Sequence, residues 1–342
     1  MGLKIGVVGL GRIGAFHVGT LSALDAVDEL SVTDVVPVAI DSVTGRYPDA
    51  RGCADADAVL ASGVDGLVIA SATATHAALI EQSVAAGIPV FCEKPIAMSS
   101  GESAAVVDRC GGSGVPVAIG YNRRFDPAVS AARAAVVSGE LGFITTARST
   151  TLDPAPPPMS YIAGSGGIFR DCAVHDFDTL RWVVGGDVVE VYATGANQGD
   201  PGFTAHDDVD SATVILTFAS GAMGVVSATR YNGRGYDCRL EVHGSTDSVV
   251  AGWDPGTPVR NLDPGCAFPD GSPHGFFMDR FAQAYRRELG EFCDLVGGAA
   301  SSSLCTMNDA LAVALIADAA TVSLHEKRPV RIDEIAESPS AG

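Results

Sequence analysis

Short apolar runs alternate with longer amphipathic stretches through the first third of the chain. The runs have the length and composition of buried strands, and they are Leu3–Val8, Glu29–Val32, Asp65–Ser71, Pro89–Glu93 and Val115–Ile119. Helical patterns such as Ala15–Leu24 and Ala54–Ala61 lie between them, and Val38–Ile40 is predicted to extend the second strand. Because strands that alternate with helices pair in parallel, this part is predicted to be α/β, with a doubly wound parallel sheet.

From about Phe143 the pattern changes to runs rich in Val, Thr, Ile and aromatic residues, joined by turns. These runs are Phe143–Thr151, Val188–Gln198, Ser211–Phe218, Ala222–Tyr231 and Arg239–Val250. They predict a large, open, mainly antiparallel sheet, with a helix inside Gly166–Gly185 packed on one face. If the other face of the sheet is apolar, it must be shielded from water by another subunit. A homo-oligomer, either a tetramer or a dimer, is therefore expected.

The chain of 342 residues exceeds the size at which one core usually stops growing, so two domains are expected. We predict an α/β domain over 1–122, an α+β domain over 123–337 and a disordered tail at 338–342. Helices are predicted over Phe276–Val296 and Met307–Leu324, followed by a last strand at Val330–Ile335.

Charge and cysteine content argue against several classes of binding partner. The formal net charge is −19, from 22 Lys and Arg against 41 Asp and Glu, which argues against nucleic acid or an anionic membrane surface. The eight cysteines are scattered without a CxxC pair or zinc-like spacing, so no metal site is predicted and the thiols are expected to be reduced. Without a signal peptide or an apolar run of membrane-spanning length, a cytoplasmic protein is expected.

A glycine motif follows the first strand directly and opens the first helix, in the sequence Gly9-Leu10-Gly11-Arg12-Ile13-Gly14. Its glycines permit a tight turn, close approach of backbone to a diphosphate and close packing of helix on strand. Asp34 lies about 20 residues beyond the motif, the offset of an acid that binds ribose hydroxyls. Val35 and Val36 follow without a cation for a 2′-phosphate, so the motif predicts a Rossmann domain that binds NAD rather than NADP.

Polar side chains cluster at or just after the predicted strand ends, where ligands bind in such sheets. The predicted cofactor contacts are Gly9, Gly11, Arg12, Ile13, Gly14, Asp34, Ser71, Thr73, His76, Glu93 and Lys94. Asn122 and Arg123 follow the last strand and are predicted substrate contacts. The alternative for Lys94 is a surface ion pair with Glu93, and the alternative for His76 is an ordinary polar residue of a first helical turn.

Asp171, His175 and Asp178 stand at i, i+4 and i+7 in the predicted helix, so they are expected to share one face. A histidine beside a carboxylate is a tunable proton acceptor near neutral pH. A polar, solvated helix face is the alternative.

Together these residues resemble the glucose–fructose oxidoreductase/inositol dehydrogenase (Gfo/Idh/MocA) family of oxidoreductases. The resemblance covers essentially the whole chain, and its motifs are Gly9–Gly14, Glu93-Lys94-Pro95, Gly120–Phe125, Gly166-Gly167 and Asp171-x-x-x-His175-Asp176. Among its branches the chain looks most like inositol 2-dehydrogenase.

The resemblance implies roles for individual residues. Lys94 would stabilise negative charge on the reacting oxygen, His175 would accept the hydroxyl proton, and Asp171 would orient the imidazole. Asn122, Asp178 and Tyr236 are weaker candidates for hydrogen bonds to substrate hydroxyls. Cys172 stands where many relatives have a small or hydroxylated residue, and it is given no role.

The resemblance and the residues together predict an NAD-dependent dehydrogenase that oxidises a secondary hydroxyl of a cyclic polyol, with an inositol favoured. A sugar dehydrogenase or ketoreductase of the same family is the alternative, and a non-catalytic NAD-binding sensor is another. Substrate choice is expected to depend on the irregular stretches 153–167 and 253–275, which are long enough to be binding loops.

Overall fold

A computed structural model describes residues 2–337, so the predicted tail 338–342 lies outside the described residues. The strands are β1 (Leu3–Val8), β2 (Val27–Thr33), β3 (Ala50–Gly52), β4 (Gly66–Ile69), β5 (Val90–Glu93), β6 (Val117–Gly120), β7 (Ile144–Leu152), β8 (Val188–Ala196), β9 (Ser211–Phe218), β10 (Met223–Thr229), β11 (Asp237–Gly244), β12 (Ser248–Ala251), β13 (Cys305–Thr306) and β14 (Val330–Arg331).

The α-helices are α1 (Arg12–Leu21), α2 (Pro37–Arg46), α3 (Ala56–Ala61), α4 (His76–Ala85), α5 (Ser100–Cys110), α6 (Pro127–Val137), α7 (Met159–Ser165), α8 (Gly167–Asp171), α9 (Val174–Val184), α10 (Gly202–Ala205), α11 (Phe277–Arg280), α12 (Ala282–Val296), α13 (Met307–Glu326) and α14 (Ile332–Ala336). Short 3-10 helices occupy Thr73–Thr75 and Asn122–Phe125.

The first compact unit comprises the chain up to Phe125 together with Gln283–Leu311. Its sheet has the strand order β13-β6-β5-β4-β1-β2-β3, with β1–β6 paired in parallel and β13 antiparallel at the edge. Ile5 and Val68 in its central strands are fully buried, as a sheet covered on both faces requires. The strand order runs outward from β1 in both directions, which confirms the predicted doubly wound sheet and opens a crevice at the ends of β1 and β4.

Two details of this unit differ from the predictions. Val38–Ile40 does not extend β2 but lies in α2, which begins at Pro37 because proline is pre-set for the first helical turn. The segment Gln283–Leu311, which follows much of the second unit in the sequence, also belongs to this unit. Within it, Phe292 of α12 packs on Phe91 of β5, with 5.8 Å between the ring centroids. The compact units therefore divide the chain differently from the predicted domains 1–122 and 123–337.

The second unit comprises Asp126–Ala282 and the chain from Ala312 onward. Its sheet has the order β12-β11-β7-β10-β9-β8-β14, in which only β7 and β10 pair in parallel among the described strands. Buried and accessible residues alternate along β9, and α9 packs against β7 and α6 on one side of the sheet. The predicted α+β unit with a large, mainly antiparallel sheet is confirmed.

Within residues 2–337, α13 is the helix that is long and apolar enough to cross a membrane, with a mean hydropathy of 1.4 over its best window. This corrects the expectation that no stretch reaches that length, which considered only uninterrupted apolar runs. Length and composition are weak support for a span, because the core helix of a globular unit passes the same test. Val313 and Ala317 are fully buried, and Ser323 accepts a hydrogen bond from Ala193 of β8 at 2.8 Å.

We expect Phe292→Ala to lower the free energy of unfolding of the first unit by about 3–5 kcal/mol, because it removes a fully buried ring that covers the parallel sheet. Urea denaturation of the cofactor-free protein measures the change. Val38→Ala, at a position 69% exposed in the same unit, is the control and should change stability by less than about 0.5 kcal/mol. Equal stability of the two variants would contradict the packing of α12 on this sheet.

Candidate active site

The glycine turn after β1 lies against the end of β4 and leaves space on its other side. Gly9 has φ +93, and a Cβ there would collide with the backbone of Ser71. A Cβ on Gly14 would collide with the carbonyl oxygen of Gly9, whereas a Cβ on Gly11 would meet nothing within 4 Å. Since α1 begins at Arg12, this open space lies at a helix N-terminus, where amide groups and the helix dipole favour a diphosphate.

Asp34 is fixed at the end of β2 by two main-chain amides. Leu10 N donates to its Oδ2 at 2.6 Å, and Val36 N donates to its Oδ1 at 2.8 Å. The carboxylate thus lies beside the glycine turn, and Val35, which follows it, is 98% exposed. A carboxylate followed by valines in the sequence suits a ribose with a free 2′-hydroxyl, and its charge repels a 2′-phosphate.

His76 ties the ends of two parallel strands together. Its Nδ1 lies 2.7 Å from the carbonyl oxygen of Pro95, and its Nε2 lies 3.1 Å from that of Ser71. The side chain is 1% exposed, whereas Ser71 and Thr73 are only partly buried. The structure therefore gives His76 main-chain partners beside Lys94-Pro95, and a direct contact of this ring with the cofactor stays a prediction.

His17 is a residue of the site that the sequence did not single out. It is fully buried in α1, and its Nε2 lies 2.7 Å from Oε1 of Glu93 at the end of β5. The ring is packed edge-on against Phe91 and Tyr285, and burial first, then Glu93, raise the pKa of the Tyr285 hydroxyl. Glu93 is therefore held from inside the unit by His17.

The run after β6 is buried. Asn122 is 4% exposed and Arg123 is 3% exposed, while Arg124 lies 3.4 Å from Asp309. Nδ2 of Asn122 has no hydrogen-bond partner among the described residues, so a buried donor is available to a ligand. The open space at Gly11 and the position of Asp34 fit a bound dinucleotide, whereas Asn122 stays a predicted substrate contact.

The predicted single helix around His175 is two helices. α8 ends at Asp171 and α9 begins at Val174, with the break at Cys172, whose φ is −99 and ψ is −64. The amide of Ala173 donates to Ile168 O, five residues back, which interrupts the regular ladder. The expectation that Asp171 shares one continuous helix face with His175 and Asp178 is therefore corrected: Asp171 ends one helix and His175 lies in the first turn of the next.

The solvated-face alternative does not describe this region. Asp178 is 1% exposed and Asp176 is fully buried, where it accepts hydrogen bonds from Ser149 and Thr151 of β7. Burial raises the pKa of Cys172 strongly, so it stays a neutral thiol in the break between the helices.

Asp171 is held from two directions. Its Oδ1 accepts a hydrogen bond from the Tyr161 hydroxyl at 2.8 Å, and its Oδ2 accepts one from Arg230 Nη2 at 2.8 Å. Tyr161 lies in α7, inside the stretch 153–167 that was predicted to govern substrate choice. No sequence motif indicated Arg230, which lies 59 residues from Asp171 along the chain.

Tyr236 is 3% exposed, and its ring packs against Phe277 and Phe281. Its amide donates to the carbonyl oxygen of His274, in the second irregular stretch, where Nε2 of His274 lies 3.0 Å from Asp254. Contact of Tyr236 with a substrate stays a prediction.

The structure thus gathers the cofactor candidates in the first unit and the proton-handling candidates in the second. Within residues 2–337, no group of three or more His, Cys, Asp or Glu side chains is placed to hold a metal ion.

Comparison with known proteins identifies the family. A family model described as an oxidoreductase family with an NAD-binding Rossmann fold matches residues 3–121, and the GFO/IDH/MocA C-terminal domain matches residues 129–250. The chain belongs to this family. It is an NAD-dependent oxidoreductase with the fold that the resemblance implied.

Individual relatives match over nearly their whole length. The chain is 37% identical to an inositol 2-dehydrogenase of Rhizobium meliloti, over 97% of this chain and 100% of that protein. It is 32% identical to a scyllo-inositol 2-dehydrogenase (NAD(+)) of Bacillus subtilis, over 97% and 96%. The crystal structure of a myo-inositol dehydrogenase from Corynebacterium glutamicum superposes with a TM-score of 0.88 at 34% identity, covering 99% of this chain and 100% of that one.

We expect Asp34→Ala to weaken NAD binding about 10- to 100-fold, because a hydrogen bond to a charged group contributes about 1.5–3 kcal/mol. Titration calorimetry with NAD and with NADP measures the change. NADP affinity should fall less than NAD affinity, because repulsion of the 2′-phosphate is removed together with the ribose contact. Asp41→Ala, at an exposed position in α2, is the control, and equal NAD affinity in both variants would contradict the role of Asp34.

Proposed function

We propose that this protein oxidises a secondary hydroxyl of an inositol to the ketone and reduces NAD. The observation that carries the proposal is the pair Asp171 and His175 at the junction of α8 and α9, in a chain that also keeps Lys94 at the end of β5. The names of the relatives at 32–37% identity support an inositol as the substrate class.

Each residue has a distinct task in this proposal. His175 accepts the proton of the reacting hydroxyl, and Asp171 orients the imidazole and stabilises the positive charge that it gains. The Lys94 ammonium stabilises the negative charge that develops on the substrate oxygen, without a metal. Bound NAD supplies the hydride acceptor. Asn122, Arg123, Asp178 and Tyr236 are proposed to bind or to orient the remaining hydroxyls.

The cofactor is proposed to bind along the ends of β1, β2, β4 and β5. The turn Gly9–Gly14 holds the diphosphate, and Asp34 binds the adenosine ribose. Ser71 and Thr73 lie on the same edge of the sheet, and His76 and Glu93 fix the strand ends on which Lys94 is carried.

A second copy of the chain is proposed to cover the outer face of the sheet in the second unit. Tyr192, Ile215, Met223 and Val250 are apolar residues 38–57% exposed on this face, and Tyr192 pairs across strands with Ile215. Apolar patches of this kind on a sheet open to water mark interfaces. We therefore propose a homo-oligomer, a tetramer or a dimer.

A cytoplasmic location is also proposed. Cys92, Cys110 and Cys293 are buried thiols, and burial raises the pKa of Cys293 to about 12, so they remain protonated and unreactive. Buried reduced thiols are typical of a reducing compartment.

We expect the purified protein to form NADH from NAD and myo-inositol. Lys94→Ala and His175→Ala should each lower turnover by about 10²–10⁴-fold, because each removes a group that acts on the reacting oxygen. Absorbance of NADH measures turnover across a panel of inositols and sugars, and NAD titration shows whether each variant still binds cofactor. NAD binding without turnover on any polyol would favour a sensor instead, and turnover on sugars alone would move the substrate to that class.

We expect Ile215→Lys to shift the protein to a smaller assembly, because it places a charge in the middle of the exposed sheet face. Size-exclusion chromatography with light scattering measures the mass. Val137→Lys, at a position 71% exposed at the end of α6, is the control and should keep the wild-type mass. A monomeric wild-type protein would exclude the proposed interface.

A further inference from the structure

Arg230 is a buried cation that no sequence motif marked. It follows the last residue of β10 and is 4% exposed. Its amide donates to the carbonyl oxygen of Asp210 at 2.8 Å, so the main chain at this position is fixed to the start of β9. A buried arginine is costly unless carboxylates compensate its charge.

Two carboxylates compensate this charge. Nη2 of Arg230 lies 2.8 Å from Asp171 Oδ2, and Nη1 lies 3.0 Å from Asp153 Oδ2. Burial by itself lowers the pKa of Arg230, whereas Cys172, Asp171 and Asp153 raise it, and the raising effects prevail. The guanidinium therefore stays charged, with one arm on each carboxylate.

The partners of Arg230 lie at functionally different places in the unit. Asp171 ends α8, four residues before His175, whereas Asp153 begins the stretch 153–167, which was predicted to be irregular but contains α7. The main chain of Asp153 is itself fixed, since its amide donates to Thr229 O at 2.9 Å and its carbonyl accepts from Asn232 N at 2.7 Å. The same stretch supplies Tyr161, whose hydroxyl donates to the second oxygen of Asp171.

We propose that Arg230 is the positioning residue of the proton-handling pair: it keeps Asp171 charged and fixed in orientation, and it binds the loop 153–167 to that aspartate. The inference rests on the proposed function, because it concerns the task of Asp171 in that reaction. A charged carboxylate is what His175 needs when it takes a proton, since an imidazolium is stabilised by a neighbouring negative charge. The planar fork of arginine can bond two carboxylates at once, which a lysine ammonium does with less geometric control.

This arrangement has a consequence for substrate choice. The loop 153–167 contacts Asp171 through the Tyr161 hydroxyl and reaches it again through Asp153 and Arg230. Tyr161 is 48% exposed, so its ring presents an aromatic surface next to the carboxylate. The loop that is expected to govern substrate choice and the aspartate that is proposed to orient His175 are therefore both held by the Arg230 guanidinium.

The test compares Arg230→Met, Arg230→Lys and Asp153→Asn with the wild type. Arg181→Met is the matched control, because Arg181 Nη2 also lies 2.8 Å from a carboxylate oxygen, that of Asp187, in the same unit. For each variant, kcat and KM are measured with NAD and myo-inositol, together with NAD affinity and the melting temperature. Hydrogen exchange of the amides in 153–167 is measured without substrate.

We expect Arg230→Met to lower kcat about 100-fold with NAD affinity within about twofold of wild type, because a small misplacement of a catalytic group costs rate rather than cofactor binding. Arg230→Lys should recover part of kcat. Arg230→Met and Asp153→Asn should both speed exchange in 153–167, and Arg181→Met should change neither kcat nor exchange in that loop.

The outcomes separate the two proposals. A wild-type protein that makes no NADH from any polyol overturns the proposed function, whereas wild-type turnover with an unchanged kcat in Arg230→Met overturns the inference. An equal loss of kcat in Arg181→Met also overturns it, because the loss would then follow from removing any ion pair. If Arg230→Met does not fold, Arg230→Lys carries the same test, and wild-type kcat together with wild-type loop exchange in that variant overturns the inference.

Discussion

The close approach of backbone to backbone at the ends of β1 and β4 is the constraint on which the cofactor unit depends. Gly9 lies so near Ser71 that no side chain fits between them, and Gly14 brings α1 equally close to Gly9. That contact leaves the amides at the start of α1 facing open space, and it brings Asp34 within hydrogen-bond distance of Leu10. The edge can accept a dinucleotide mainly because glycines leave it without side chains, and less because of any single side chain.

In both units, buried charged and polar groups near the site are held by partners distant in sequence. His17 binds Glu93, and Arg230 joins Asp171 to Asp153. Such contacts offset the cost of removing charges from water, and they restrict the orientation of the groups that carry chemistry. The residues proposed for catalysis are therefore held by contacts with distant segments of the chain.

Much of the fold and part of the site follow from sequence patterns. Continuous apolar runs such as Leu3–Val8 predicted parallel strands, and runs rich in Val, Thr and Ile, such as Ser211–Phe218, predicted a mainly antiparallel sheet. The glycine spacing and Asp34 predicted the cofactor edge, because these residues act through local backbone geometry. The helix around His175 was predicted as one element, since a break at Cys172 leaves no mark in a pattern of apolar and polar residues.

The sequence by itself determined most of the order of elements, and it predicted the dinucleotide edge and the residues proposed for proton transfer, because each depends on spacing within a few turns or strands. Tertiary structure decided that Gln283–Leu311 returns to the first unit, that His76 binds two strand ends, and that Asp171 is paired with Arg230. Those outcomes depend on which distant segments pack together. A contact between residues 59 positions apart, such as Arg230 and Asp171, produces no periodic pattern in the sequence.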